Sequence, residues 1–281
     1  MVELARYGAA HIYFTGRNPN AGNEVSLEAQ KLAPATQFTF IQSDLAATRE
    51  SLRKDVMTHF KSNRLDMLIA NAGIMNVAPA TTAEGFEVQF GTNYLGHAIL
   101  LRLLLPTMLR TAKDPCTDVR LVTLSSYGHT MHPPGGIVFD QLRTADAGTG
   151  WQRYGQSKLA DILLAKAMAK RYPQITSVSV HPGLVMTGLA DRSEPSWLGR
   201  LFSIVKYTPF MKSSETGAHN TLWAATTSKS DLVNGGYYTP VGNAGRIGAF
   251  GEAGMDEMVN DEDLADRLWE WTERELGDFK L

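Results

Sequence analysis

Leu65-Asp66-Met67-Leu68-Ile69-Ala70-Asn71-Ala72-Gly73 is the stretch that decides the architecture: a short aliphatic run ends abruptly in a turn of small and polar residues. Such a run, bounded by turn residues, reads as a buried strand. The same pattern recurs on either side. His11–Thr15 runs into Gly16-Arg17-Asn18, Gln37–Gln42 into Asp44-Leu45, Val119–Leu124 into Ser125-Ser126, and Ser177–Val180 into His181-Pro182-Gly183. Between the runs lie stretches of helical spacing, among them Ala47–Phe60, Glu84–Met108, Tyr154–Arg171 and Ser214–Ala225. Alternating strands and helices predict an α/β fold, a doubly wound parallel sheet with helices on both faces. Ligands of such sheets bind beyond the carboxyl ends of the strands, where these polar turns fall.

The chain has 281 residues, 43% of them apolar, and a net charge of −2 from 27 basic and 29 acidic side chains. It is long enough to bury a large core. The near-neutral balance argues against a surface built for nucleic acid. A lone cysteine, Cys116, excludes an intramolecular disulfide framework and a thiolate metal cluster. His129 and His132 lie close together, but no third ligand stands at a suitable spacing, so no metal site is expected. The apolar stretch Ala98–Leu109 is interrupted by Arg102 and Pro106 and is too short to span a bilayer. Glu3 and Arg6 fall where the apolar part of a signal peptide would begin. A cytoplasmic protein without an integral membrane segment is expected. No repeat or flexible linker divides it, so residues 1–281 read as a single domain.

Tyr154-Gly155-Gln156-Ser157-Lys158 places a phenol and an ammonium four residues apart, on one face of the expected helix. A tyrosine's ordinary pKa of about 10 is too high for easy proton exchange at neutral pH. A nearby cation stabilises the phenolate and lowers that barrier. With this pair, the sequence resembles the short-chain dehydrogenase/reductase family, and within it the retinol-dehydrogenase-like branch. Asn71-Ala72-Gly73 resembles the family's structural Asn-Ala-Gly turn. Asn93, within Thr92-Asn93-Tyr94-Leu95-Gly96-His97, resembles the helix asparagine of its catalytic tetrad, and Ser125-Ser126 with Tyr154 and Lys158 resembles the other three members. Of the two serines, Ser126 matches the functional one. His181-Pro182-Gly183-Leu184-Val185-Met186-Thr187 resembles the loop that closes on the nicotinamide, and Tyr237-Tyr238-Thr239-Pro240 and Leu264–Leu276 also look like this branch.

The resemblance implies a Rossmann-like fold and hydride transfer between a nicotinamide and a carbonyl or carbinol carbon. Tyr154 would be the general acid in reduction and the base in oxidation. Lys158 would hold the nicotinamide ribose and lower the Tyr154 pKa, Ser126 would donate to the substrate oxygen, and Asn93 would hold a water linking Lys158 to solvent. Asn71, Ala72, Gly73, Gly183, Val185 and Thr187 would line the cofactor along with Tyr154 and Lys158. Arg17 stands where an acidic residue would bind the ribose of NAD; an arginine there suits the 2′-phosphate of NADP(H). Asp44 would accept from the adenine amino group.

Each residue also has a plainer reading. Asn71 ties neighbouring strands together, Arg17 is a solvated turn residue, and Ser126 turns the chain. Asn93 is a buried packing amide, Asp44 is the N-cap of the helix that follows, Thr187 is a turn residue, and Tyr154 and Lys158 share an exposed helix face.

The family's first strand and its Thr-Gly-x-x-x-Gly-x-Gly turn have no counterpart here: Met1 to Gly8 resembles the second half of the helix that follows them. That glycine turn normally approaches the pyrophosphate. Its strand is central in the family's sheet, so an N-terminally truncated sheet is expected, with two neighbouring strands left with unpaired edges. The sequence is then a shortened version of an ordinary enzyme, a truncated and catalytically impaired homologue with a binding or regulatory role, or a member with non-redox chemistry. The intact catalytic set favours the first. Residues 189–213, where the family carries its substrate lid, hold Trp197, Leu201, Phe202, Tyr207 and Phe210. They suit a small lipophilic substrate or an ordinary packed helix, and the long interval between Ser126 and Tyr154 also resembles the branch. A homodimer through the helices bearing Asn93 and Tyr154 is implied by the resemblance alone.

Overall fold

The computed structural model describes residues 1–183, 214–239 and 257–277. Val185, Thr187 and the stretch 189–213 lie outside the described residues.

A short helix α1 (Val2–Ala5) precedes β1 (His11–Gly16), α2 (Pro19–Leu32), β2 (Gln37–Gln42), α3 (Arg49–His59) and β3 (Met67–Ala70). Next, α4 (Val88–Phe90) passes through a π turn (Gly91–Leu95) into α5 (Gly96–Thr111). β4 (Arg120–Leu124), a 3-10 turn (Tyr127–Met131), α6 (Gly150–Arg171) and β5 (Thr176–Val180) follow. Beyond them come α7 (Ser214–Thr226), β6 (Tyr237–Tyr238) and α8 (Glu262–Glu275).

The expected strands are all present, with small changes at their ends. Leu65 falls outside β3 because its N–H donates to Thr111 Oγ1 at 2.9 Å rather than to a neighbouring strand. The single helix expected over 84–108 begins only at Val88, where Glu87 caps it by accepting from the Phe90 N–H at 2.7 Å. It then widens into the π turn, a local expansion common at functional sites. The helix expected from Ala47 begins at Arg49, with Thr48 Oγ1 accepting from the Ser51 N–H at 3.3 Å. Asp44 is therefore not its N-cap; its carboxylate closes a tight turn by accepting from the Ala46 N–H at 3.0 Å. α2 starts at Asn18, whose side chain accepts from the Asn20 and Ala21 N–H groups, with Pro19 at the first helical position.

Among the described residues the strands form two separate parallel sheets, ordered β1-β2 and β3-β4-β5-β6. β1 pairs only with β2, and β3 only with β4, so each keeps one edge outside both ladders. The larger sheet holds the core. Every residue of β4 and β5 is buried, and Leu159, Leu163 and Met168 of α6 pack with Met108 of α5 and Leu268 of α8 in one cluster. α8 lays Trp271 edge-on against Phe86 and Phe90 and joins Tyr94 Oη to Thr272 Oγ1 at 2.6 Å. No described helix is long and apolar enough to cross a membrane.

Candidate active site

Two elements build the site, the end of β4 and the first turns of α6. α6 opens with a capping box in which Thr149 Oγ1 accepts from the Gln152 N–H at 3.2 Å and Gln152 Oε1 accepts from the Thr149 N–H at 2.9 Å. Just inside it, the buried Arg153 guanidinium faces the buried Glu87 carboxylate at 3.3 Å, which ties α6 to the start of α4. β4 then grips the helix through three polar contacts. Thr123 Oγ1 donates to the Asp161 carbonyl, Ser125 Oγ donates to the Lys158 carbonyl, and Lys158 Nζ donates to the Leu124 carbonyl, each at 2.8 Å.

Tyr154 is 4% exposed, so the plainer reading of an open helix face does not hold. Its ring lies on Gly128, where a Cβ would come within 2.5 Å of ring carbon Cε1. Gly155 presses on the same turn, with space for a Cβ only 2.5 Å from the His132 nitrogen. Two missing side chains thus let the helix and the 3-10 turn close on each other. Trp151 meets the Tyr154 ring edge-on at 6.3 Å. Ser126 starts that turn, its Oγ accepting from the Gly128 N–H at 3.1 Å, which leaves the hydroxyl proton to be donated. Ser125, by contrast, is buried with its hydroxyl on the Lys158 carbonyl of α6. Turning the chain and donating a proton are compatible in one serine.

Asn93 is fully buried in the π turn. Its Oδ1 accepts from the Ile74 N–H at 2.7 Å, and its Nδ2 donates to the Ile74 carbonyl at 2.9 Å and to Ser157 Oγ at 2.8 Å. Both amide protons are spent, so the side chain clamps the loop after β3 onto α6. This matches the packing role that the sequence left open. The clamp draws in Gly73, where a Cβ would stand 3.2 Å from Asn93 Oδ1 and 3.5 Å from Lys158 Nζ. Next along the helix, His97 Nδ1 lies 2.7 Å from the Asn93 carbonyl, and burial, with Lys158 nearby, lowers its pKa to about 4 and keeps the ring neutral.

Gly73, Asn93, Ser126, Tyr154 and Lys158 therefore converge. The remaining described candidates follow strand ends. Asn71 and Ala72 are exposed after β3, and Gly183 follows β5 with a φ of 90°. Arg17 and Asp44 follow β1 and β2 on the other sheet, Arg17 exposed with its carbonyl 3.5 Å from Gln42 Nε2.

The sequence reading missed three features. Asp161 forms a buried ion pair with Lys158, Nζ to Oδ2 at 2.9 Å; an acid inside the apolar run Leu159–Leu164 was the available signal. Arg153 and Glu87 carried no local signal, because their pairing is tertiary. Beside Ser126, His129 Nδ1 lies 2.7 Å from the Ser126 carbonyl, and its ring meets Tyr237 edge-on at 5.2 Å. Burial raises the Tyr237 phenol against a hydrogen bond with Ser125 and holds it neutral.

The donor set fits the nicotinamide end of a dinucleotide. An ammonium has three N–H groups, and Lys158 uses one on the Leu124 carbonyl and one on Asp161, which leaves one for a ribose hydroxyl. The bare Cα of Gly73 keeps the adjoining space open.

The chain matches the short chain dehydrogenase family over residues 1–196. It is 33% identical to an uncharacterized oxidoreductase of Schizosaccharomyces pombe, over 99% of this chain and 81% of that one. Retinol dehydrogenase 11 of Mus musculus is 32% identical over 95% of this chain and 78% of its own length. Among solved structures, an uncharacterized protein from Mycobacterium paratuberculosis superposes with a TM-score of 0.69 at 27% identity, over 97% of this chain and 86% of that one.

Proposed function

The chain belongs to the short-chain dehydrogenase/reductase family, in its retinol-dehydrogenase-like branch, and from that premise we propose that it is an NADP(H)-dependent oxidoreductase interconverting a carbonyl and an alcohol on a small lipophilic substrate. Oxidoreduction with a nicotinamide cofactor is the family's chemistry. The observation that carries the reading is the meeting of Tyr154, Lys158 and the Ser126 turn at the end of β4, with Gly73 and Asn93 closing the other side.

When bound, the nicotinamide supplies or accepts the hydride. Tyr154 Oη gives a proton to the substrate oxygen in reduction and takes one in oxidation. Ser126 donates a hydrogen bond to the same oxygen as charge builds there. Lys158 offers its third N–H to the ribose and its charge to the Tyr154 phenol. Asn93 and Gly73 keep the loop after β3 close to Lys158. The surroundings support an apolar substrate: Trp151 and Gly128 flank Tyr154, and Tyr237 packs on His129 of the turn that Ser126 starts. Residues 189–213 add further aromatic and aliphatic side chains in the sequence.

NADP(H) rather than NAD(H) rests on Arg17. It is exposed beyond the end of β1, where its guanidinium is in reach of solvent-borne phosphate. A charge-assisted contact is worth roughly 1.5–3 kcal/mol, which is about ten- to a hundredfold in affinity. Calorimetric titration of the chain with NADPH and with NADH tests this. NADPH binds the tighter by about tenfold or more, and Arg17→Ala removes the difference while leaving NADH affinity unchanged. Equal affinities overturn the NADP(H) assignment. A folded chain that binds neither overturns the enzyme reading.

A further inference from the structure

Lys158 and Asp161 form a buried ion pair for which the proposed chemistry has given no use. They stand three residues apart on α6 with their side chains 6% and 2% exposed, and Lys158 Nζ donates to Asp161 Oδ2 at 2.9 Å. The second carboxylate oxygen, Oδ1, is buried without a hydrogen-bond partner. The neighbours along the helix are Leu159, Ala160, Ile162 and Leu163, all buried. Removing a carboxylate from water is costly, and an apolar side chain of similar size serves stability as well or better at such a position. Packing alone therefore does not account for Asp161.

The geometry gives it another task. With one ammonium N–H on the Leu124 carbonyl and one on Asp161, the direction of the third is fixed. The charge is affected as well. An ionised Asp161 cancels the field of Lys158, so the ammonium acts on Tyr154 at full strength only when the carboxylate is neutralised.

We propose that Asp161 is a positioning residue that orients the remaining N–H of Lys158 and sets how much of its charge is left to act on Tyr154, so that reduction depends on the charge state of Asp161. The proposal rests on the reading of Tyr154 as the proton donor.

Among the described residues, the groups around the pair leave Asp161 as the one that changes charge near neutrality. From its own helix Asp161 is faced by Lys158, which also interacts with Tyr154. From the π turn and α5 come Tyr94, whose phenol burial keeps neutral, and His97, neutral above pH 4 or so. From β4 come only the Thr123 hydroxyl and the Leu124 carbonyl. Burial pushes the Asp161 carboxyl up to about 7 against the attraction of Lys158. Burial also works against the Lys158 charge, but the Asp161 carboxylate outweighs it and the ammonium is retained. As pH falls through about 7, the pair passes from no net charge to one positive charge, and the Lys158 ammonium faces Tyr154 without a compensating anion.

Carboxyl 13C NMR on aspartate-labelled, cofactor-free protein tests this without turnover, comparing the wild type with Asp161→Asn. Asparagine keeps the shape and the acceptor for Lys158 but loses the charge. One carboxyl resonance is expected to titrate near pH 7 in the wild type and to be absent from the variant. Reduction of a lipophilic aldehyde is expected to rise about tenfold as pH falls through 7 in the wild type, the scale of two sites coupled by about one pKa unit. In Asp161→Asn it stays flat within about twofold over that range, and Asp161→Glu restores the step. A wild-type carboxyl that titrates only below pH 5, or a step that persists in Asp161→Asn, overturns the proposal. If the asparagine variant does not fold, the wild-type resonance and the glutamate variant still decide. Failure of the NMR result counts against Asp161 alone, whereas failure to bind NADPH counts against the oxidoreductase reading.

Discussion

The two sheets of this molecule are built to different standards. β4 and β5 in the larger sheet are buried along their whole length, and α6 is fastened to β4 by two hydroxyls and an ammonium. β1 in the smaller sheet has no fully buried residue and pairs on one side only, and of β2 only Ile41 is buried. The residues proposed to handle the proton go with the first, and those proposed to read the adenosine end, Arg17 and Asp44, stand at strand ends of the second. Catalytic geometry tolerates displacements of only a fraction of an ångström, so it belongs where packing and hydrogen bonds hold each side chain from several directions. Recognition by an exposed arginine needs less.

Hydrogen exchange gives the largest contrast. Amides of Leu121, Val122 and Val178 are expected to open only with global unfolding, while those of β1 and β2 exchange faster by on the order of a thousandfold. Equal protection would break the comparison. Core truncation gives the next largest effect. Leu163→Ala, at a fully buried position, is expected to cost about 2–5 kcal/mol in urea unfolding. Ile12→Ala, on the half-buried β1, should cost less than about 2 kcal/mol.

The smallest effect concerns the bolt between the two regions. Arg49 at the start of α3, which packs on β2 and α5, reaches Glu84 at 2.5 Å and the Glu275 carbonyl at the end of α8 at 2.7 Å. Burial works to raise the Glu84 carboxyl, but its bonds to Arg49 outweigh that and hold it below its ordinary value of 4.5. A carboxyl lowered in the folded state stabilises above its unfolded pKa and loses that contribution as pH falls through the folded one. Glu84→Gln is therefore expected to cost about 1–2 kcal/mol at pH 7, a difference that fades on acidification below pH 4.5. Urea unfolding at several pH values checks it, and a pH-independent cost would contradict the assigned cause.

Much of this was legible in the sequence because it is written locally. Aliphatic runs ending in small polar turns marked the strands, and the expected chemistry came from the resemblance of Asn93, Ser126, Tyr154 and Lys158 to the family's catalytic set. α2 was not among the stretches read as helical, since Gly22 and Ala29 are its only buried residues and its apolar stripe is thin. For Asp44 a helix cap stood open beside the adenine contact, because a turn and an N-cap use the same carboxylate, and only the backbone shows that Thr48 holds the cap position. The saturation of Asn93 by Ile74 and Ser157 could not be read at all, since it joins a loop, a π turn and a helix distant in the chain. Asp161 was visible as a lone charge in an apolar run, and its meaning came only with the distance to Lys158.

The central claim is that Tyr154 on the larger sheet moves the proton in a carbonyl–alcohol interconversion. NADPH oxidation followed by absorbance with a lipophilic aldehyde, in the wild type and in Tyr154→Phe, tests it most directly. The account predicts turnover in the wild type and a loss of about a hundredfold or more in the variant, with NADPH affinity and thermal unfolding unchanged. Turnover that survives the loss of the Tyr154 hydroxyl would contradict it.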